Sequence, residues 1–277
     1  MEKKCFIAGI PGAGKTTYIA ALWDIIKRNG GGLELQFSTN PENTSYLNEI
    51  WEYWVSMKKI ERSKTPVPDN ITINVKKTAV DEELALDIPD FMGEQFQKII
   101  DHTLPDSIKN WIEQSDRMLY LINNLNDTLK DDIEDEDVQS NEEIDRNKEK
   151  EEALRLAPEK MMQASQNMMV LKYIYNHAKM KKVAVGLSAW DVKMTGGKTP
   201  EEFLKHRSPA LYNFFKLHFN ECVFFGVSAQ GFDYKDTAAK ANEMKEKTRN
   251  SNRAFIVFDK EKDPSPDLTK PLNYLIS

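Results

Sequence analysis

The sequence predicts a three-layer α/β fold: a mostly parallel six-stranded sheet with one antiparallel edge strand and helices on both faces. Three observations predict it. Apolar strand-like stretches alternate with helical ones along all 277 residues. Residues 118–122 and 183–187 are continuous apolar runs, as strands covered on both faces require. Residues 71–75 alternate cleanly, and 84–89 follow closely enough to pair with them through a hairpin around Asp81 and Glu82.

Each element has its own signal. Residues 3–8 form the first strand through the run Cys5, Phe6, Ile7 and Ala8. Residues 16–27 form a helix with Ile19, Leu22, Trp23 and Ile26 on one face, and Asn29 with the glycines after it stops that helix. Residues 33–37 alternate as a short strand or extended segment. Residues 43–62 read as a helix striped by Tyr46, Leu47, Ile50, Trp51, Trp54 and Val55, a pattern of core packing or of a partner surface. A proline-rich loop at 63–69 precedes the hairpin. Residues 94–100 and 105–114 read as short helices, and 158–179 as one long helix with Met161, Met162, Met168, Met169, Leu171 and Ile174 on its apolar face. A helix over 200–220, a strand at 222–227, a strand-like run at 254–258 and a terminal helix at 271–276 complete the chain. No internal repeat is visible.

Composition bounds the function. The length suits one domain spanning 1–277, with 127–152 as a solvated insertion inside it. That insertion carries thirteen acidic and four basic side chains, a net of −9 within a total of −6. An acidic chain of this kind is not expected to contact nucleic acid directly, because it repels phosphate backbones. The two cysteines, Cys5 and Cys222, sit in apolar runs and read as buried free thiols of a reducing compartment. No signal-peptide pattern and no membrane-length apolar run is present, so the expectation is a soluble cytoplasmic protein.

The chemistry is concentrated in the first loop. Gly9, Ile10, Pro11, Gly12, Ala13, Gly14, Lys15 and Thr16 spell G-x-x-x-x-G-K-T, followed by Thr17, between a strand and a helix. This is the phosphate-binding P-loop. Glycines let backbone N–H groups curl around a phosphate, and the helix N-terminus adds partial positive charge. Lys15 would reach the β- and γ-phosphates, and the Thr16 hydroxyl would ligate Mg²⁺. The motif alone does not separate kinases, ATPases and GTPases.

Later motifs carry a resemblance that does. Asp90-Phe91-Met92-Gly93 after the strand at 84–89 resembles the D-x-x-G element of Ras-like GTPases. By that resemblance Asp90 would hold Mg²⁺ through a water and the Gly93 N–H would sense the γ-phosphate; Asp87 is the second candidate. Ser188-Ala189-Trp190-Asp191 stands where those proteins carry N-K-x-D, with Asp191 in place to accept the guanine N1–H and N2–H₂ donors that adenine lacks. The Asn and Lys are missing, and Ala189 has no alkyl chain to lay over a base. Ser228-Ala229-Gln230 resembles the S-A-K element, whose backbone N–H contacts guanine O6. With the P-loop helix, these motifs resemble the double-GTPase group of bacterial translation-factor-like (TRAFAC) GTPases, encoded in conflict and defence loci beside GTPase-associated partner proteins. The resemblance implies a Ras-like G domain of the P-loop NTPase class that binds Mg-GTP and GDP, hydrolyses GTP and works with a protein effector.

The same resemblance assigns the remaining roles. The water-orienting position after Gly93 holds Glu94, with Gln95 next; a carboxylate there implies slow intrinsic turnover. Thr65, in the proline-rich loop, best fits the switch threonine that closes over Mg²⁺. Pro11 stands where many Ras-like loops have Gly, which would narrow the approach of an arginine finger. Two alternatives stand beside this reading: a P-loop kinase or ATPase, against which the absence of an arginine-rich lid cluster speaks, and a non-catalytic nucleotide-dependent scaffold, for which Glu94 speaks.

Overall fold

Successive residues of a strand face opposite sides of a sheet, so an all-apolar strand needs cover on both. In a computed structural model the first strand, β1 (Lys4–Ala8), does this. Cys5 and Ile7 enter one core, and Phe6 and Ala8 enter the other. The structure describes residues 3–28, 33–39, 44–58, 71–78, 82–88, 98–100, 104, 106–123, 161–192, 196–231 and 253–277.

The elements follow in order as α1 (Lys15–Arg28), β2 (Leu35–Phe37), α2 (Thr44–Val55), β3 (Ile71–Lys77), β4 (Glu83–Ile88), α3 (Asp106–Gln114) and β5 (Arg117–Ile122). They continue with α4 (Gln163–His177), β6 (Lys182–Ser188), α5 (Pro200–Arg207), α6 (Pro209–His218), β7 (Glu221–Ser228), β8 (Phe255–Phe258) and α7 (Lys270–Ile276). The sheet has eight strands, not six, in the order β2-β3-β4-β1-β5-β6-β7-β8. Strands β4, β1, β5, β6 and β7 are parallel. Antiparallel pairing adds β3 and β2 at one side and β8 at the other. Where one antiparallel edge strand was expected, three strands pair antiparallel: β2 and β8 at the two edges and β3 between β2 and β4. The undercount has a simple cause: β2 and β8 have only three and four residues, too short for periodicity to establish pairing. The hairpin joining β3 to β4 is present, with Ile71 opposite Ile88.

One core lies between the sheet and α1, α2 and α7; the other lies between the sheet and α3 to α6. Three helix boundaries differ from the sequence reading. The 43–62 helix ends at Val55, and Met57 takes a positive φ of 57° just beyond it. The long helix begins at Gln163, leaving Met162 half-exposed at its N-cap rather than on the apolar face. The 200–220 helix is broken at Ser208, whose φ of −141° and ψ of 75° leave the helical region. Pro209 explains this, because its ring disfavours a helical conformation in the preceding residue. Neither Cys5 nor Cys222 forms a disulfide; Cys5 is buried as expected, whereas Cys222 is only half-buried. Among the described residues no helix is long and apolar enough to cross a membrane. The acidic segment 127–152 lies outside the described residues.

Close packing imposes one requirement near the rim. A Cβ on Gly226 in β7 would lie 2.3 Å from the Trp190 ring, itself edge-on to Phe203 with centroids 5.4 Å apart. Gly226→Ala should cost about 1–3 kcal/mol through overpacking. Chemical denaturation checks this; a variant within about 0.5 kcal/mol of wild type would contradict so tight a contact.

Candidate phosphate- and base-binding site

Chain order places the site. After β1 the chain builds β2, β3 and β4 on one side, then crosses to β5 and onwards on the other, so β1 ends at a topological switch point. Crevices outside the carboxyl ends of strands at such points are where α/β sheets bind ligands. The P-loop follows β1, Asn123 follows β5, Ser188 to Asp191 end β6, and Ser228 to Gln230 end β7. These are the carboxyl ends of parallel neighbours.

The P-loop has the conformation its glycines permit. Gly9, Gly12 and Gly14 have φ of 145°, 75° and 87°. At Gly9 a side chain is also excluded by space, since a Cβ would lie 2.4 Å from the Leu121 carbonyl oxygen. Among the described residues a Cβ at Gly12 would meet nothing within 4 Å, so none of them covers the loop on that side. The Ala13 N–H donates to the Ile10 carbonyl at 3.2 Å, and the Tyr18 N–H donates to the Gly14 carbonyl at 2.9 Å as the helix begins. Pro11 is half-buried within the turn, and Thr16 and Thr17 are half-buried in the first turn of α1. That turn contains no acidic residue to neutralise the helix N-terminus.

Lys15 lies folded over the loop. Its Nζ donates to the Gly9 carbonyl at 2.5 Å and to the Ile10 carbonyl at 3.1 Å. The residue keeps some exposed surface, but burial of the ammonium lowers its pKa from 10.5 to about 7.

Two side chains from neighbouring strands hold the loop's carbonyls. The Ser188 Oγ donates to the Ala13 carbonyl at 2.5 Å, and the Asn123 Nδ2 donates to the Gly12 carbonyl at 3.0 Å. Anchoring carbonyls outward leaves the loop's N–H groups for an anion. Ser188, read from sequence as part of the base-binding element, thus contacts the phosphate loop. Asn123 was not singled out from sequence; its only signal is a polar residue directly after an apolar central strand.

Beyond Ser188, Ala189 takes a left-handed φ of 53° and turns the chain into a 3-10 helix, Trp190–Val192. Trp190 is buried against Gly226 and Phe203, so it packs in the core. Asp191, beside it, is exposed. After β7, the Ser228 Oγ accepts from the Gly231 N–H at 3.0 Å and closes the loop, while Ala229 and Gln230 are buried. Both polar atoms of the Gln230 carboxamide are buried without a hydrogen-bond partner. Thr65, Asp90, Gly93, Glu94 and Gln95 lie outside the described residues.

These groups fit a nucleotide. A loop with its carbonyls tied back and no described residue over Gly12, a buried ammonium and a partnerless amide on the adjacent loop are what a phosphate and a purine would complete. For a divalent cation the described donor is Thr16, and among the described residues no group of three His, Cys, Asp or Glu could hold a metal.

A P-loop at the switch point of a mostly parallel sheet, flanked by polar loops on the next strand ends, defines a P-loop nucleotide-binding domain. The chain belongs to the Double-GTPase 1 family, whose model matches residues 6–275, and is accordingly a GTP-binding domain. No curated protein matches it. Solved structures that this chain matches include the signal recognition particle receptor SRb-GTP/SRX complex of Chaetomium thermophilum. That match has 12% identity, 89% of this chain and 98% of that one covered, and a TM-score of 0.35. The S. cerevisiae Ski7 GTPase-like domain, solved with GTP and with GDP and inorganic phosphate, matches at 13% identity. There 91% of this chain and 51% of that one are covered, with a TM-score of 0.43.

Proposed function

We propose that this domain is a guanine-nucleotide switch that binds Mg-GTP, hydrolyses it slowly to GDP and inorganic phosphate, and couples nucleotide state to a partner protein. The observation that carries the reading is the hydrogen bond from Ser188 to the Ala13 carbonyl. It joins the element expected to read the base to the loop expected to hold the phosphates. In this reading Lys15 and the N–H groups of Gly12 and of Gly14 to Thr17 hold the β- and γ-phosphates. Asp191 accepts two hydrogen bonds from the guanine edge, and the loop at Ser228, Ala229 and Gln230 faces its O6. Thr16, with Asp90 and Thr65, would hold Mg²⁺, which neutralises phosphate charge when bound. Gly93 would sense the γ-phosphate, and Glu94 or Gln95 would orient the attacking water. Water adds to the γ-phosphorus as its bond to the β–γ bridging oxygen breaks, leaving GDP and phosphate.

A second reading, a non-catalytic nucleotide-dependent scaffold, is favoured by Glu94, whose charge beside a γ-phosphate opposes attack. In both readings the chain is one cytoplasmic domain without direct nucleic-acid or membrane contact. A setting in bacterial defence follows from the resemblance alone. Equilibrium binding of GTP, GDP and ATP with Mg²⁺, followed by phosphate release, tests the proposal. We expect both guanine nucleotides to bind more tightly than ATP, with slow release of phosphate that Glu94→Ala changes. Equal affinity for ATP would remove the switch assignment, and tight GTP binding without any turnover would leave the scaffold.

A further inference from the structure

The loop after β7 is held by a helix far from it in sequence. The Trp54 indole N–H, in the last turn of α2, donates to the Ala229 carbonyl at 2.8 Å in a buried contact. The Trp54 ring is in turn fixed by Arg253, whose guanidinium carbon lies 3.9 Å from the ring centroid. Arg253 also donates to the Trp54 carbonyl, and its own carbonyl lies 2.6 Å from where a Cβ on Gly231 would sit. Trp54, Ala229, Gly231 and Arg253 thus form one packed unit around the loop.

This contact sets the direction of a peptide plane. The described backbone has no cis peptide bond, and in a trans peptide the C=O and the following N–H point opposite ways. Holding the Ala229 carbonyl on Trp54 therefore turns the Gln230 N–H away from α2. We propose that Trp54 is a specificity-positioning residue: its indole N–H aims the Gln230 backbone N–H as the donor to the 6-carbonyl of a bound purine. The inference rests on the guanine-nucleotide reading above and deepens it. A 6-amino purine offers no acceptor there, so the contact discriminates through a single oriented donor.

The test compares GTP, ITP and ATP on wild type and Trp54→Phe, which keeps a ring beneath Arg253 and removes the N–H. GTP and ITP both carry the 6-carbonyl, so each should weaken by about three- to tenfold, the worth of one hydrogen bond, while ATP affinity stays unchanged. Equal weakening of all three nucleotides, or of none, would overturn the positioning role. The Gln230 amide in unaltered protein gives a readout that needs no variant: its hydrogen exchange should slow with GTP and ITP but not with ATP. Unchanged exchange with GTP would also overturn the proposal. Wild type that binds ATP as tightly as GTP would instead overturn the base reading itself, a result distinguishable from wild-type preference that Trp54→Phe leaves intact.

Discussion

Lys15→Met should weaken GTP and GDP by about 100-fold or more. Charge-assisted hydrogen bonds are worth about 1.5–3 kcal/mol each, and in the proposed reading Lys15 makes them to two phosphates. A pH dependence follows from the same side chain. Its ammonium is buried, which lowers its pKa to about 7 from 10.5. A lowered lysine pKa means folding disfavours the charged form, a cost complete below pH 7 and relieved as pH rises towards 10.5. Bound phosphates raise the pKa again, so binding takes up a proton above pH 7. Affinity should be flat just below that pH and fall by up to about tenfold per unit above it. Calorimetry in buffers of different ionisation enthalpy measures the proton uptake. A variant that binds GTP normally, or binding without proton uptake at pH 8, would show that Lys15 does not meet the phosphates.

Asp191→Asn should reverse base preference, weakening GTP by about 100-fold or more and favouring XTP. Guanine presents two donors on its N1 and N2 edge, which a carboxylate accepts together; an amide offers only one acceptor and adds a donor. Xanthine carries a carbonyl in place of the N2 amine and suits the amide. Asp191 is exposed on its 3-10 helix, so the substitution should leave the melting temperature unchanged. Competition binding with GTP, XTP and ATP reads the switch directly. If GTP and XTP affinities move together, or neither moves, Asp191 does not contact the base.

The sequence carried much of this because the P-loop is a local object. Glycines 9, 12 and 14, Lys15 and Thr16 lie within eight residues, and their conformation follows from their own chemistry and the strand and helix beside them. The apolar runs of β1, β5 and β6 were legible for a similar reason: strands covered on both faces leave an uninterrupted pattern. The break at Ser208 was also local, written in Pro209, but the apolar spacing through it reads as one helix.

Long-range pairing left no such pattern. Nothing near Asn123 announces the Gly12 carbonyl, 111 residues away, and nothing near Trp54 announces Ala229, 175 residues away. The aromatic stripe on α2 had two readings, core or partner surface; Trp54 entered the core, while Trp51 donates to Asp24 on α1. Nothing beside Trp190 in the sequence assigns it a place, and its contact with Gly226 across the strand pair puts it in the core. By itself the sequence determined the phosphate loop, the motifs on the strand ends and the alternation that makes an α/β sheet. Tertiary structure decided the eight-strand order, the tethering of the P-loop by Ser188 and Asn123, and the seat of the β7 loop on Trp54. The physical reason is range: backbone conformation is dictated within a few residues, whereas a hydrogen bond between distant loops exists only once the sheet has brought their strand ends together.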